Sequence, residues 1–107
     1  MTMRPPVFHI LLALSEDDRH GLGIAEEVER ASGGSVSLGP GTLYRSLAEM
    51  VQEGLIRSVK GSPQAADPRR KYYRITAAGR VAVKEEAMRL AKLVGAARAR
   101  NVIEGPA

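Results

Sequence analysis

The chain has 107 residues, with 16 Lys and Arg against 12 Asp and Glu, so a single domain with a modest core is expected, one that oligomerisation would help to stabilise. It contains no Cys, which excludes disulfides, Cys-ligated zinc and a thiol nucleophile and fits a reducing cytoplasm. The formal charge of +4 is unevenly spread: residues 1–56 carry a net −4 and residues 57–84 a net +7, which points to a polyanionic partner, the bland alternative being a solvated basic loop.

Pro5 and Pro6 suit a helix start, where a missing N–H costs nothing. Val7, Ile10, Leu11 and Leu14 then recur at the spacing of one buried helical face. The longest apolar run, Ile10 to Leu14, is too short to span a bilayer. Arg4 ahead of Val7 to Leu14 faintly resembles a signal peptide, but Pro5, Pro6 and the missing cleavage pattern argue against one, so a cytoplasmic protein is expected. After the polar break at Ser15 to Asp18, a second helix is expected from Gly21 to Ala31, with Leu22, Ala25 and Val28 on its apolar side and Ser32-Gly33-Gly34 closing it.

Ser35 to Leu38 reads as a short β-like run. Gly39 as N-cap and Pro40 in the first turn open a third helix whose buried stripe is Leu43, Leu47, Met50 and Val51. Gln52-Glu53-Gly54 ends it. Leu55 to Lys60 and Lys71 to Thr76 are rich in strand-favouring residues, and Gly61 to Arg70, with Pro63 and Pro68, fits a wing tip between them. Thr76 can cap a final helix reaching about Arg100, along which Val83, Ala87, Leu90, Val94 and Ala97 form a coiled-coil-like seam. The expected fold is mostly α with a small β-wing: a winged helix-turn-helix over residues 1–75, a long C-terminal dimerisation helix over residues 76–101 and a frayed tail over 102–107.

Enzyme readings find little support. His9 and His20 are the only histidines, they match no metal-binding spacing, and both are expected to pack or to cap. Gly39-Pro40-Gly41 lacks the Lys-Ser/Thr of a phosphate-binding loop, and Gly21-Leu22-Gly23 follows no strand. Glu26, Glu27 and Glu29 fall on an exposed helix face, without the apolar surroundings a catalytic carboxyl needs. No catalytic residue, metal or cofactor is assigned.

DNA binding is better supported, because a helix that can enter the major groove stands beside a charged hairpin that can grip phosphates. The face of the third helix opposite its apolar stripe is expected to carry Thr42, Arg45, Ser46 and Glu49. Arg45, the one basic residue of that helix, is the leading candidate for a base contact. Tyr44 adjoins the stripe and suits either the core edge or a phosphate hydrogen bond. On the wing, Arg69, Arg70 and Lys71 are placed to straddle a backbone, and Tyr73 is grouped with them. The seam either packs on its own domain or meets a second copy; it runs beyond what so small a domain can cover, which favours a homodimer on a palindromic site.

The run from Pro40 to Leu47, then Glu53-Gly54-Leu55-Ile56, then Arg70 to Arg80, together with His20-Gly21-Leu22-Gly23-Ile24 upstream, resembles the PadR family of bacterial transcriptional regulators over roughly Ile10 to Lys84. The resemblance implies a winged helix that dimerises through its C-terminal helix and usually represses its targets, with many members answering to small aromatic effectors. By position it implies recognition-helix contacts from Thr42, Tyr44 and Arg45, wing contacts from Arg69, Arg70 and Lys71, and a dimer surface from Val83 to Ala97. Two residues depart from the pattern. Gly39 stands where the family often has Ser, a change worth a few tenths of a kcal/mol, and Leu22 stands where Tyr is common. With no Trp and only Phe8 outside the motif tyrosines, rings for stacking a planar effector are few. The alternative function is a winged-helix module that binds protein and not specific DNA.

Overall fold

The computed structural model of the chain describes residues 3–61, 67 and 69–104. Four helices, α1 (Pro5–Leu14), α2 (Gly21–Ala31), α3 (Pro40–Gln52) and α4 (Ala77–Ala99), surround a three-stranded antiparallel sheet of β1 (Arg19–His20), β2 (Ile56–Lys60) and β3 (Lys71–Ile75). The order is β1-β3-β2. β2 and β3 pair from Ile56 opposite Ile75 to Lys60 opposite Lys71. The wing tip expected around Pro63 and Pro68 falls largely outside the described residues, as does the end of the expected tail.

The helices begin and end where local chemistry says they must. Pro opens α1 and α3. His20 caps α2 and Thr76 caps α4 by accepting a backbone N–H three residues on. α2 and α3 close with Gly33 and Gly54 at positive φ. In each, the next residue reaches back five positions, Gly34 N–H to the Glu29 carbonyl and Leu55 N–H to the Met50 carbonyl, the hydrogen bonding of a Schellman cap. α4 ends the same way, with Asn101 at φ 58° and Val102 N–H on the Ala97 carbonyl.

The core joins Val7, Ile10, Leu11 and Leu14 of α1 to Ile24 and Val28 of α2, Leu43, Leu47 and Met50 of α3, and Ile56, Tyr73 and Ile75 of the sheet. Each such aliphatic side chain contributes about 1.5–3 kcal/mol on burial. Packing α1, α2 and α3 around this cluster leaves the opposite side of α3 free to meet a partner.

Four expectations need correction. Ser35 to Leu38 forms no strand, because the Ser32 hydroxyl already accepts the Val36 N–H at 3.0 Å and no strand pairs with it among the described residues; Val36 and Leu38 instead rest against the core. The additional strand is β1, where Arg19 and His20 pair with Tyr73 and Tyr72. Leu22 is 52% exposed and Ile24 takes the core position in its place, since α2 turns its Gly21–Ile24–Val28 side inward. Val51 is exposed, one step past the buried edge of α3.

α4 is anchored at its start and bare further on. The Leu55 carbonyl accepts Thr76 N–H at 3.1 Å, and the Thr76 hydroxyl lies 2.6 Å from the Gly54 carbonyl and 3.0 Å from that of Leu55. Val83 packs partly on the core. From Ala91 to Arg100 only Ala96 and Ala97 are even partly covered. No described helix is long and apolar enough to cross a membrane.

Candidate nucleic-acid interface

Because Leu43, Leu47 and Met50 hold α3 against the core, its outward residues are set by helical phase. Thr42 is half-buried, and Gly41, Tyr44, Arg45 and Ala48 are exposed. Arg45 makes no ion pair or side-chain hydrogen bond among the described residues, so its guanidinium is free to fork onto a base edge or a phosphate. Glu49, the acid on this side, is met by Arg4 at 2.6 Å. That pairing removes a charge that would repel a polyanion.

Ser46 is a correction: only 2% exposed, it lies in the wall of the core beside Leu47 and cannot reach a groove. Tyr73 is another. Its side chain is 8% exposed within the hydrophobic cluster, and burial, followed by the neighbouring Tyr44, raises its hydroxyl pKa above the ordinary value. The Tyr73 ring is part of the floor of the site rather than an outward contact.

Arg69, Arg70 and Lys71 are all exposed at the base of the wing, but they differ in availability. Arg70 Nε sits 3.0 Å from Asp67 Oδ2, and its Nη1 lies 3.3 Å from His20 Nδ1. Arg69 and Lys71 have no ion pair among the described residues. Deeper in the basic stretch, Arg74 grips Asp18 with bonds of 2.7 and 3.1 Å, and Arg80 reaches the Ser15 carbonyl. These two cations serve the fold.

His20, expected only to pack or cap, does both. Its Nδ1 accepts the Gly23 N–H at 3.0 Å, and its ring meets Tyr72 edge to face with centroids 5.4 Å apart. Both neighbours of Nδ1 are donors, so the lone pair sits there and the ring proton on Nε2. A cleft opens beside this ring, lined by His20, Gly21 and Leu22 of α2, Tyr44 of α3, and Arg70, Lys71 and Tyr73 of the wing base. It puts Tyr44 of α3 and Lys71 of β3, which has no ion pair among the described residues, on one surface. Sequence reasoning missed Gly21 as a member of this site, because its partner Tyr44 is 23 positions away.

The seam on α4 is divided. Val83, Leu90 and Ala97 are half-buried; Ala87 and Val94 are exposed, and Leu93 beside them is 55% exposed. Glu86 is buried beside the crevice lined by Met3 and Val7 and bonded by Arg89 at 2.6 Å. No group of three or more metal-ligating side chains occurs among the described residues.

The family model of the PadR-like transcriptional regulators matches residues 10–85. The chain is 37% identical over 98 residues to the transcriptional regulator Rv3488 of Mycobacterium tuberculosis, a match covering 91% of this chain and 81% of that protein. It is 35% identical over 86 residues to an uncharacterized 37.1 kDa protein of a Streptomyces fradiae transposon, where it spans 80% of this chain but 23% of the larger protein's length. Among solved structures, a PadR family transcription regulator from Clostridium difficile superposes with a TM-score of 0.73 at 25% identity, covering 87% of this chain and 94% of that one. A PadR-like regulator from Bacillus cereus gives 0.73 at 25% identity, covering 94% and 92%.

Proposed function

We propose that this chain, which belongs to the PadR-like family of transcriptional regulators, represses transcription as a homodimer seated on a palindromic operator. The observation that carries the reading is the shared surface of α3 and the wing base: the exposed Tyr44, next in sequence to the exposed and, among the described residues, unpaired Arg45, lines one cleft with Lys71. Thr42 and Arg45 at the N-terminal end of α3 read the major groove, and Tyr44, Arg69, Arg70 and Lys71 hold the flanking phosphates. With about five phosphates neutralised, log K should fall against log salt with a slope of about −4 to −5.

Dimerisation through Val83, Ala87, Leu90, Val94 and Ala97 is supported by the bareness of α4. A helix of 23 residues extends about 35 Å, while the core covers little beyond its first half. Burying Leu90, Leu93 and Val94 against a second copy removes that apolar surface from water and offers two α3 helices to two half-sites.

Release by a small aromatic effector belongs to the same proposal. The crevice between α1 and α4, floored by Met3, Val7, Leu55 and Ala82 and rimmed by Arg4, Glu53, Glu85 and Arg89, adjoins the proposed dimer face, so a ligand there can shift the spacing of the two α3 helices.

The test is fluorescence-anisotropy titration of DNA from the gene's own upstream region beside scrambled DNA at two salt concentrations. Tighter binding to the upstream DNA that survives the higher salt supports the reading. Weak, equal binding that vanishes with salt counts against it and favours the protein-binding alternative.

A further inference from the structure

The cleft between α2, α3 and the wing base has a detail of construction at Gly21. A Cβ placed on Gly21 would stand 2.7 Å from the Tyr44 hydroxyl oxygen and 2.9 Å from its Cε1. The phenol therefore lies directly on the bare backbone at the start of α2. Gly21 has no positive φ, so the backbone does not need glycine there; the ring above it does. Tyr44 is 54% exposed, and its hydroxyl makes no hydrogen bond among the described residues, so the seat on Gly21 is what places the ring at the cleft.

Around the hydroxyl the cleft offers donors and positive charge. Lys71 has no ion pair among the described residues. Arg70 is fixed from two sides, by Asp67 at 3.0 Å and by His20 Nδ1 at 3.3 Å. Asp67 holds Arg70 from the wing, and the seven residues lining the cleft include no carboxylate. A phenol hydroxyl, an ammonium and a guanidinium around one opening suit a single tetrahedral anion with several acceptor oxygens.

We infer that this cleft is the seat of one DNA backbone phosphate, and that Gly21 is the positioning residue that holds the Tyr44 hydroxyl over it. The inference rests on the DNA-binding reading above and adds to it a specific phosphate and a residue that positions one of its ligands. It also separates Gly21 from a glycine needed for folding: the atoms a new methyl would meet are the outer end of an exposed side chain, so Gly21→Ala moves the ring and leaves the backbone in place.

The experiment uses the operator duplex with single neutral methylphosphonates stepped through one half-site. Wild type, Tyr44→Phe, Tyr44→Ala, Gly21→Ala and the Gly21→Ala/Tyr44→Ala double variant are compared by anisotropy, with thermal melts as the folding check. Wild type should lose about tenfold in affinity at one position, the scale of a hydrogen bond to a charged group. Tyr44→Phe and Gly21→Ala should bind the unmodified duplex about tenfold more weakly and lose distinctly less than wild type on substitution at that same position, where Arg70 and Lys71 still favour the charge. In the Tyr44→Ala background, Gly21→Ala should change nothing further, the signature of coupling through the ring.

Gly21→Ala binding like wild type with an unaltered profile would overturn its positioning role. A Tyr44→Phe loss spread evenly over all phosphates, or no change at any of them as expected if the cleft served a free phosphorylated molecule, would overturn the seat. Should Gly21→Ala melt far below wild type, its assigned role is wrong and the Tyr44→Phe profile still decides the seat. Wild type that fails to prefer the operator refutes the underlying reading, an outcome distinct from all of these.

Discussion

Gly79 and Gly95 lie in the same helix, and replacing each by Ala should change stability in opposite directions. Intrinsic propensity favours Ala over Gly inside a helix by up to about 1 kcal/mol, so both substitutions would stabilise α4 if the helix stood alone. At Gly95 nothing lies within 4 Å of an added Cβ, and the gain should be realised. At Gly79 the new carbon would stand 2.1 Å from the Leu55 carbonyl oxygen and 2.9 Å from Ile75 Cγ1, where ordinary contact begins at 3.4 Å. Relief requires α4 to withdraw by more than an ångström from the turn after α3. That turn holds the Thr76 N–H at 3.1 Å and its hydroxyl at 2.6 to 3.0 Å, hydrogen bonds worth about 1 kcal/mol each. Overpacking adds about 1–3 kcal/mol. The net for Gly79→Ala is a destabilisation of about 2–4 kcal/mol, or a melting temperature lower by about 10 °C or more for a chain of this size. Gly95→Ala should instead raise it by a few degrees. Circular-dichroism melts and urea midpoints, taken at one protein concentration because the proposed dimerisation would contribute, measure both. If Gly79→Ala melts at or above the wild-type temperature, the close docking of α4 on Leu55 is refuted.

Because Arg45 is the free cation on the exposed side of α3, Arg45→Ala should lower operator affinity by about 1–3 kcal/mol and relax sequence preference; equal losses on operator and random DNA would deny it a base-reading role. Arg69 is unpaired among the described residues while Arg70 is held by Asp67, so Arg69→Ala should flatten the salt slope by about 0.9 and Arg70→Ala by less. Identical slopes for the two variants would show that the Asp67 pair does not restrain Arg70. Leu90→Glu puts a charge into the proposed seam and should yield monomers by light scattering; a surviving dimer moves the interface elsewhere. Hydrogen bonds from Arg89 hold the Glu86 carboxyl below its ordinary value of 4.5, against the opposing effect of burial. A lowered folded-state pKa makes that contribution complete above the ordinary value and lost as pH falls through the lowered one. Acid melts of Arg89→Ala should accordingly fall less steeply below about pH 4.5 than those of wild type, and parallel curves would remove the pair from the acid response.

Much of this chain was legible without coordinates, and what was legible is local. Pro5, Pro40, Thr76, Gly33 and Gly54 start and stop helices through groups within a few residues of themselves, so a linear reading finds them. The apolar periodicities of α1 and α3 identify core faces for the same reason, since the repeat is a property of the helix alone. The motif from Pro40 to Leu47 with the Tyr72-Tyr73 strand was enough to point to the family.

What tertiary structure decided is every choice between two residues of equal local merit. Leu22 and Ile24 are both apolar and two positions apart, and only packing against α1 and α3 selects Ile24. Ser46 borders the apolar stripe of α3, and the breadth of the core beneath the helix determines that it is buried. β1 exists because β3, more than 50 positions away, supplies its hydrogen bonds; two polar residues carry no strand signal of their own. Arg69, Arg70 and Lys71 are three adjacent cations in sequence, and the positions of Asp67 and His20 alone distinguish the restrained one from the others. Gly21 beneath Tyr44 and Gly79 against Leu55 follow the same logic. Periodicity and capping act over one helical turn and leave a trace in the sequence. Contact between distant segments depends on how the whole core closes, and no single stretch of the chain records it.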